Sequence, residues 1–179
     1  MVKLLSKTSV FYFKTHITFI NRAWSRFWQI RCNTLAEELD SSSGNRIVCI
    51  VDDDADIATL FRDALTNVPR VSVHSFIDPI LALEHFKTND YNYVLVISDF
   101  RMPGLNGMEF LKKVKEGNSF VRTILMTAFD VDDKMFGKYV KKKIINAFIQ
   151  KPIAIHDLLK EVDSQLHSYE IQKRYPLQK

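Results

Sequence analysis

Five short apolar runs, at residues 47–51, 71–74, 94–97, 121–126 and 145–149, divide the chain from residue 47 onward, each of strand length and rich in Val, Ile or Phe. Between them the apolar positions change to a helical period. Ile57, Leu60, Phe61, Ala64 and Leu65 recur at i, i+3, i+4, i+7 and i+8, which predicts an amphipathic helix with all five on one face. Asp78-Pro79 predicts the start of a second helix: the aspartate can accept from the first free amides, and a proline in the first turn has no N–H to leave unpaired. Asn106 is placed to cap a third, with Phe110, Leu111 and Val114 inward. Met135, Phe136, Tyr139 and Val140 outline a fourth helix, and Ile155, Leu158, Leu159, Val162 and Leu166 a fifth. Strict β-α alternation, with strands apolar throughout instead of alternating, predicts an α/β fold: a doubly wound parallel five-stranded sheet covered by helices on both faces. In such sheets functional residues gather at the carboxyl ends of the strands, where the strand order reverses.

Composition sets limits around this pattern. The 179 residues, 20.8 kDa, suffice for one ordinary domain and a modest extension, so no separate output module is expected. With 46% hydrophobic and 26% charged residues the chain has the balance of a globular protein, not of a disordered one. The longest stretch without Lys, Arg, Asp or Glu is eight residues, against the roughly 20 a membrane-spanning helix needs. The net charge of +4 is concentrated early: residues 1–44 hold six Lys or Arg against three acids, and the remainder nineteen against eighteen. No continuous basic stripe crosses the domain, so bulk charge makes no strong case for nucleic acid as its partner. Cys32 and Cys49 lack metal spacing and suit a reducing compartment, and Lys7, Lys14 and His16 interrupt any signal-peptide core. A cytoplasmic protein is expected.

The Ser-Ser-Ser-Gly-Asn stretch at 41–45 marks a boundary between a basic, aromatic extension (1–44) and a domain (45–169) with a short tail (170–179). In the extension Ile20, Trp24, Phe27, Trp28, Leu35 and Leu39 fall near one helical face, with Arg22 and Arg26 opposite. Such a helix could pack on the domain, dimerise or contact an anionic membrane surface; the alternative is a disordered segment, or upstream sequence included by an early start codon. No helix-turn-helix pattern precedes the linker, and the tail is too short for a DNA-binding domain.

The candidate chemistry lies at the strand ends. Strand one ends in Asp52-Asp53-Asp54, strand three in Ser98-Asp99, strand four in Thr127-Ala128 and strand five in Lys151-Pro152. Taken singly, these are ordinary caps and loop residues. Together they bring carboxylates, a hydroxyl and an ammonium to one end of the sheet. Clustered carboxylates need a cation to remain ionised, and Mg²⁺ commonly bridges one or two of them to a phosphoryl oxygen. With the lysine and the threonine added, the set suits a phosphoryl group held on an aspartate.

These motifs resemble the receiver domains of two-component response regulators. The resemblance covers about residues 45–169: Asp52-Asp53, Asp99 followed by Met102-Pro103 and Gly107, Thr127-Ala128 and Lys151-Pro152, separated by 47, 28 and 24 residues. It implies a flavodoxin-like (βα)5 fold with strand order 2-1-3-4-5. It also implies a phosphorelay protein, not an enzyme, with Asp99 as phospho-acceptor from a histidine kinase. Mg²⁺ would be held by Asp53, Asp99 and the backbone carbonyl of Arg101, with Asp52 acting mainly through water. Lys151 would contact the phosphoryl oxygens and form a cis bond to Pro152. Thr127 and Phe148 would act as a switch that alters the surface of the fourth helix, fifth strand and fifth helix, where a downstream protein docks. Arg101 and Phe129 would flank the phosphoryl group and slow its hydrolysis.

Two features depart from the family pattern or compete with it. The approach to strand five is Lys141-Lys142-Lys143-Ile144-Ile145-Asn146-Ala147, where many receivers have a glycine-containing turn. The lysines are either a solvated helix end favoured by the helix dipole or a partner-binding patch. The competing function is a Mg²⁺-dependent phosphatase or phosphotransferase like the haloacid dehalogenases, whose paired aspartates two apart after strand one are matched by Asp52 and Asp54. That reading leaves the Met102-Pro103 turn without a role and offers no cap domain.

Overall fold

A computed structural model describes residues 46–128 and 133–175, the side chains of 133–136 excepted. Strands and helices alternate: β1 (Ile47–Val51), α1 (Ala55–Leu65), β2 (Ser72–Phe76), α2 (Pro79–Asn89), β3 (Tyr93–Asp99), α3 (Gly107–Gly117), β4 (Arg122–Thr127), α4 (Asp133–Lys141), β5 (Ala147–Gln150) and α5 (Ile155–Arg174). A single 3₁₀ turn, Asp90–Asn92, leads into β3. The sheet is parallel throughout, as the apolar pattern predicts, in the order β2-β1-β3-β4-β5 that the family resemblance implies.

Successive side chains of a strand point to opposite faces, so each central strand feeds two cores. Ile47, Cys49 and Val51 of β1 join one cluster with Phe86 of α2 and Phe110, Leu111 and Val114 of α3. Val48 and Ile50 enter the other, with Phe61 and Leu65 of α1 and Leu158, Val162 and Leu166 of α5. This double burial explains why β1 and β3 carry no polar alternation. The edge strand β2 is only half-buried and accordingly includes Ser72, His74 and Ser75.

Asp78 and Asn106 cap α2 and α3 as anticipated, accepting from Ile80 N and Glu109 N, and Pro79 occupies the first turn. Leu60, placed on the inner face from spacing alone, is 54% exposed. The buried stripe of α1 centres on Ala58, Phe61 and Leu65, and Leu60 lies roughly a third of a turn from that centre at 3.6 residues per turn. Val140 is likewise exposed. Met135 and Phe136, expected to point inward from α4, have side chains outside the described set, as do residues 1–44 and Cys32. Several strands end later than their apolar runs: β3 takes in Ser98 and Asp99, β4 Thr127, and β5 Gln150.

The unusual approach to β5 is a helix stop built without glycine. Lys143 has φ 56°, the left-handed conformation, and its amide donates to Val140 O (2.9 Å) while Ile144 N donates to Tyr139 O (2.9 Å). A side chain in that conformation costs about 1–2 kcal/mol. Lys143→Gly is therefore expected to stabilise the protein by about 1 kcal/mol in urea unfolding; no gain would mean that contacts of the lysine offset the strain.

Cys49 is fully buried, and burial, opposed by Tyr93, pushes its thiol up to about 12. The unfolded thiol ionises near 9, so between pH 9 and 12 the unfolded state binds fewer protons and stability falls as pH rises. Cys49→Ala should flatten this alkaline limb relative to the parent, measured by urea midpoints across that range. An unchanged limb would show that the thiol does not contribute.

Candidate functional site

The strand register assembles the site. Val51 pairs with Ser98 across β1 and β3, Asp99 with Met126 across β3 and β4, and Thr127 with Gln150 across β4 and β5. Asp52, Asp99, Thr127 and Lys151 therefore sit at or one residue beyond the carboxyl ends of adjacent strands. Backbone bonds continue the ladder past the strand ends: Phe100 N donates to Met126 O (2.8 Å), Lys151 N to Thr127 O (2.8 Å) and Asp52 N to Phe76 O (3.1 Å). The Lys151–Pro152 bond is cis, as expected. Asp52, Asp53, Asp99, Arg101, Thr127 and Lys151 are among the residues lining one open depression of roughly 380 Å³.

Lys151 is the hub. Its Nζ donates to Asp52 Oδ2 and lies the same 2.6 Å from Asp99 Oδ1. The other Asp52 oxygen accepts from Asp54 N (3.1 Å), and the other Asp99 oxygen from Arg101 N (2.6 Å). Asp52 is almost completely buried, and that burial raises its carboxyl above the ordinary range despite the adjacent ammonium. Burial acts on Lys151 in the opposite sense, but its hydrogen bonds to Asp52 and Asp99 outweigh it and raise the ammonium. The lysine thus stays charged beside Asp99.

The three aspartates after β1 do three different things. Asp52 pairs with Lys151. Asp54 caps α1, accepting from Asp56 N (3.0 Å) and Ile57 N (3.2 Å). Asp53 is exposed, and its side chain makes no hydrogen bond or ion pair with any described residue. Among the described residues no three acidic, His or Cys side chains already converge as a metal cage. The donors present do fit Mg²⁺, which takes one or two carboxylates, a carbonyl and several waters in preference to an all-protein cage. Asp53 and Asp99 beside the Arg101 backbone supply that set. Asp52, the more deeply buried of the two carboxylates on Lys151, would act on such an ion mainly through water.

α3 is fastened directly to the end of β3. Gly107 N donates to Phe100 O (3.0 Å), and a Cβ on Gly107 would stand 2.0 Å from the Asp99 carbonyl oxygen. Gly107 stood in the sequence only as a motif residue; the close approach is what requires it. Of the residues lining the depression Thr127 is buried and Arg101 exposed, and Phe148 is half-buried on β5 against the core that contains Leu125 and Ile145. Phe129, expected to flank the phosphoryl group, lies outside the described residues.

The chain matches the family described as "Response regulator receiver domain" over residues 48–163. It is 30% identical over 128 residues to the DNA-binding transcriptional regulator NtrC of Klebsiella pneumoniae, a match covering 72% of this chain and 26% of NtrC. The chain therefore spans about a quarter of the length of the NtrC proteins it matches. Among solved structures, a CheY-like receiver domain protein from Methanospirillum hungatei aligns with TM-score 0.64 at 21% identity, over 72% of this chain and 99% of that one. TrrA from Thermotoga maritima, determined in complex with Mg²⁺–BeF, aligns with TM-score 0.57 at 22% identity, over 67% and 98% of the two chains. Among the described residues no helix is long and apolar enough to cross a membrane.

Proposed function

Because this chain belongs to the response regulator receiver domain family, we propose that it is a phospho-accepting signalling protein that takes a phosphoryl group on Asp99 from a histidine kinase. The observation that carries the reading is the convergence of Asp99, Lys151 and an uncommitted Asp53 on one depression. In the proposed step, an Asp99 carboxylate oxygen forms a bond to phosphorus as the phosphorus–nitrogen bond of the donor phosphohistidine breaks. The bond's electron pair leaves with the imidazole, which takes up a proton. Lys151, now 2.6 Å from Asp99, is placed to meet the charge that develops on the phosphoryl oxygens, and Thr127, which lines the same depression, offers a hydroxyl. Mg²⁺, when bound, would neutralise the same oxygens; Asp53, Asp99 and the Arg101 carbonyl are the proposed ligands, with Asp52 acting through water.

Transfer of the Lys151 ammonium from Asp99 to the phosphoryl group is the proposed trigger. Thr127 moves toward that group, and Phe148 turns inward on β5. This changes the α4-β5-α5 surface for a downstream protein. Phe148 has no hydroxyl, so the change works by packing alone. We further propose that residues 45–169 fold as the receiver without residues 1–44, and that the protein acts in the cytoplasm without enzymatic turnover.

The phosphatase reading is disfavoured by Asp54. A dehalogenase-like enzyme would need that carboxylate for acid–base work, whereas here it caps α1. The two separate experimentally. With Mg²⁺ and acetyl phosphate the protein is expected to take up about one phosphoryl group per chain and to leave a generic phosphate ester unhydrolysed. Sustained multiple turnover of the ester would overturn the proposal.

A further inference from the structure

The end of the sheet opposite the carboxylates gathers cations from three elements. Lys115, in the last turn of α3, directs its ammonium to the carbonyl oxygens of Ser119 (3.3 Å) and Val121. Arg122 opens β4, and its Nε donates to Gln165 Oε1 (2.8 Å). The loop after α4 is tied to the same place: Thr123 Oγ1 donates to Ile144 O (2.7 Å), Thr123 N to Asn146 Oδ1 (2.9 Å) and Asn146 N to Thr123 O (2.9 Å). Lys143 immediately precedes this anchor and is held in its left-handed conformation beside it.

Among the described residues none of Lys115, Arg122 and Lys143 has a carboxylate at ion-pair distance. Glu161 acts on Arg122 from farther off and accepts from the Gln165 amide (2.7 Å). Burial, then the charges of Arg122 and Lys143, pull the Lys115 ammonium down to about 8, so like charges are collected here at a cost. Lys141 and Lys142 are exposed alongside. Beyond residue 44 the chain is nearly charge-balanced, which makes this a local segregation and not a generally basic surface.

We propose that Lys115, Arg122 and Lys143, flanked by Lys141 and Lys142, form a binding site for a free oligophosphate at the amino ends of β4 and β5. Several cations over a small area match the several charges of such an anion. Lys115 and Arg122 are recessed, within reach of a small flexible ligand and not of a flat bilayer or a duplex. The guanidinium keeps its terminal nitrogens for phosphate oxygens while Nε is held by Gln165.

The test uses the full chain with tripolyphosphate in Mg²⁺-free, EDTA-containing buffer, followed by amide NMR and calorimetry. Saturable shifts at the amides of Arg122, Lys143 and Ile144 are expected. Lys143→Glu should weaken binding by about tenfold or more, while Lys87→Glu, an exposed reversal on α2, leaves it within about twofold. Absence of those shifts, or equal losses in the two variants, would overturn the site. A parallel arm with anionic phospholipid vesicles would overturn the choice of a free anion if vesicles bound through Lys143 and tripolyphosphate did not.

Discussion

Asp53→Ala is expected to remove most of the protein's Mg²⁺ affinity and to slow phosphoryl uptake by about a hundredfold or more. The expectation rests on how the three aspartates divide their work. Asp52 has both oxygens engaged, by Lys151 and by the Asp54 amide, and its burial opposes ionisation. Asp54 is consumed by the N-terminus of α1. Asp53 is the exposed member without a partner among the described residues, lining the depression that holds Asp99. Removing it strips a charge from the ion site without disturbing a buried pair, so the fold should be unaffected. Calorimetric titration with Mg²⁺, paired with the initial rate of labelling by acetyl phosphate, measures both quantities. An unchanged Mg²⁺ affinity would mean that Asp52, not Asp53, is the principal ligand.

Gly107→Ala should destabilise the domain by about 3 kcal/mol, at the upper end of the overpacking range. Helix propensity alone favours the substitution by up to about 1 kcal/mol. The clash decides the sign. The new methyl would lie 2.0 Å from the Asp99 carbonyl oxygen and 2.9 Å from a Leu125 methyl. The carbonyl cannot retreat freely, because Asp99 pairs with Met126 and Phe100 N is bonded to Met126 O. Either α3 lifts from the sheet or the acceptor strand shifts, and the second outcome would also impair phosphorylation. Gly137, with nothing within 4 Å of its added Cβ, is the control: Gly137→Ala should leave stability unchanged or raise it by up to about 1 kcal/mol. Urea unfolding of the two variants side by side separates propensity from packing, and similar stabilities would show that α3 adjusts without cost.

The fold was legible because β1 and β3 are buried on both faces, so their apolar runs stand out from the helical periods around them. Strand ends were less legible for a physical reason. Backbone pairing carries on through Ser98, Asp99, Thr127 and Gln150, whereas an apolar pattern gives no sign of the strand beyond its last apolar residue. The inner face of α1 was misplaced at Leu60 because five apolar residues spread across more of the helix than the core covers, and small Ala58, outside that set of five, belongs to the buried stripe with Phe61 and Leu65. At the site, the residue types and their order pointed to the right strand ends. The division of labour among Asp52, Asp53 and Asp54 did not follow from a run of identical residues, since it depends on which carboxylate reaches Lys151 and which faces the first turn of α1. The left-handed Lys143 carried no signal, because lysine rarely occupies a position that favours glycine.

Phosphorylation is expected on Asp99 and nowhere else in the acidic cluster. The full chain would be incubated with Mg²⁺ and acetyl phosphate, its intact mass recorded, and the labile group trapped by reduction before peptide mapping. One phosphoryl group per chain on the peptide containing Asp99, and none on Asp99→Asn, is the predicted result. Equal labelling of Asp99→Asn, or a label mapped to Asp52, Asp53 or Asp54, would contradict it.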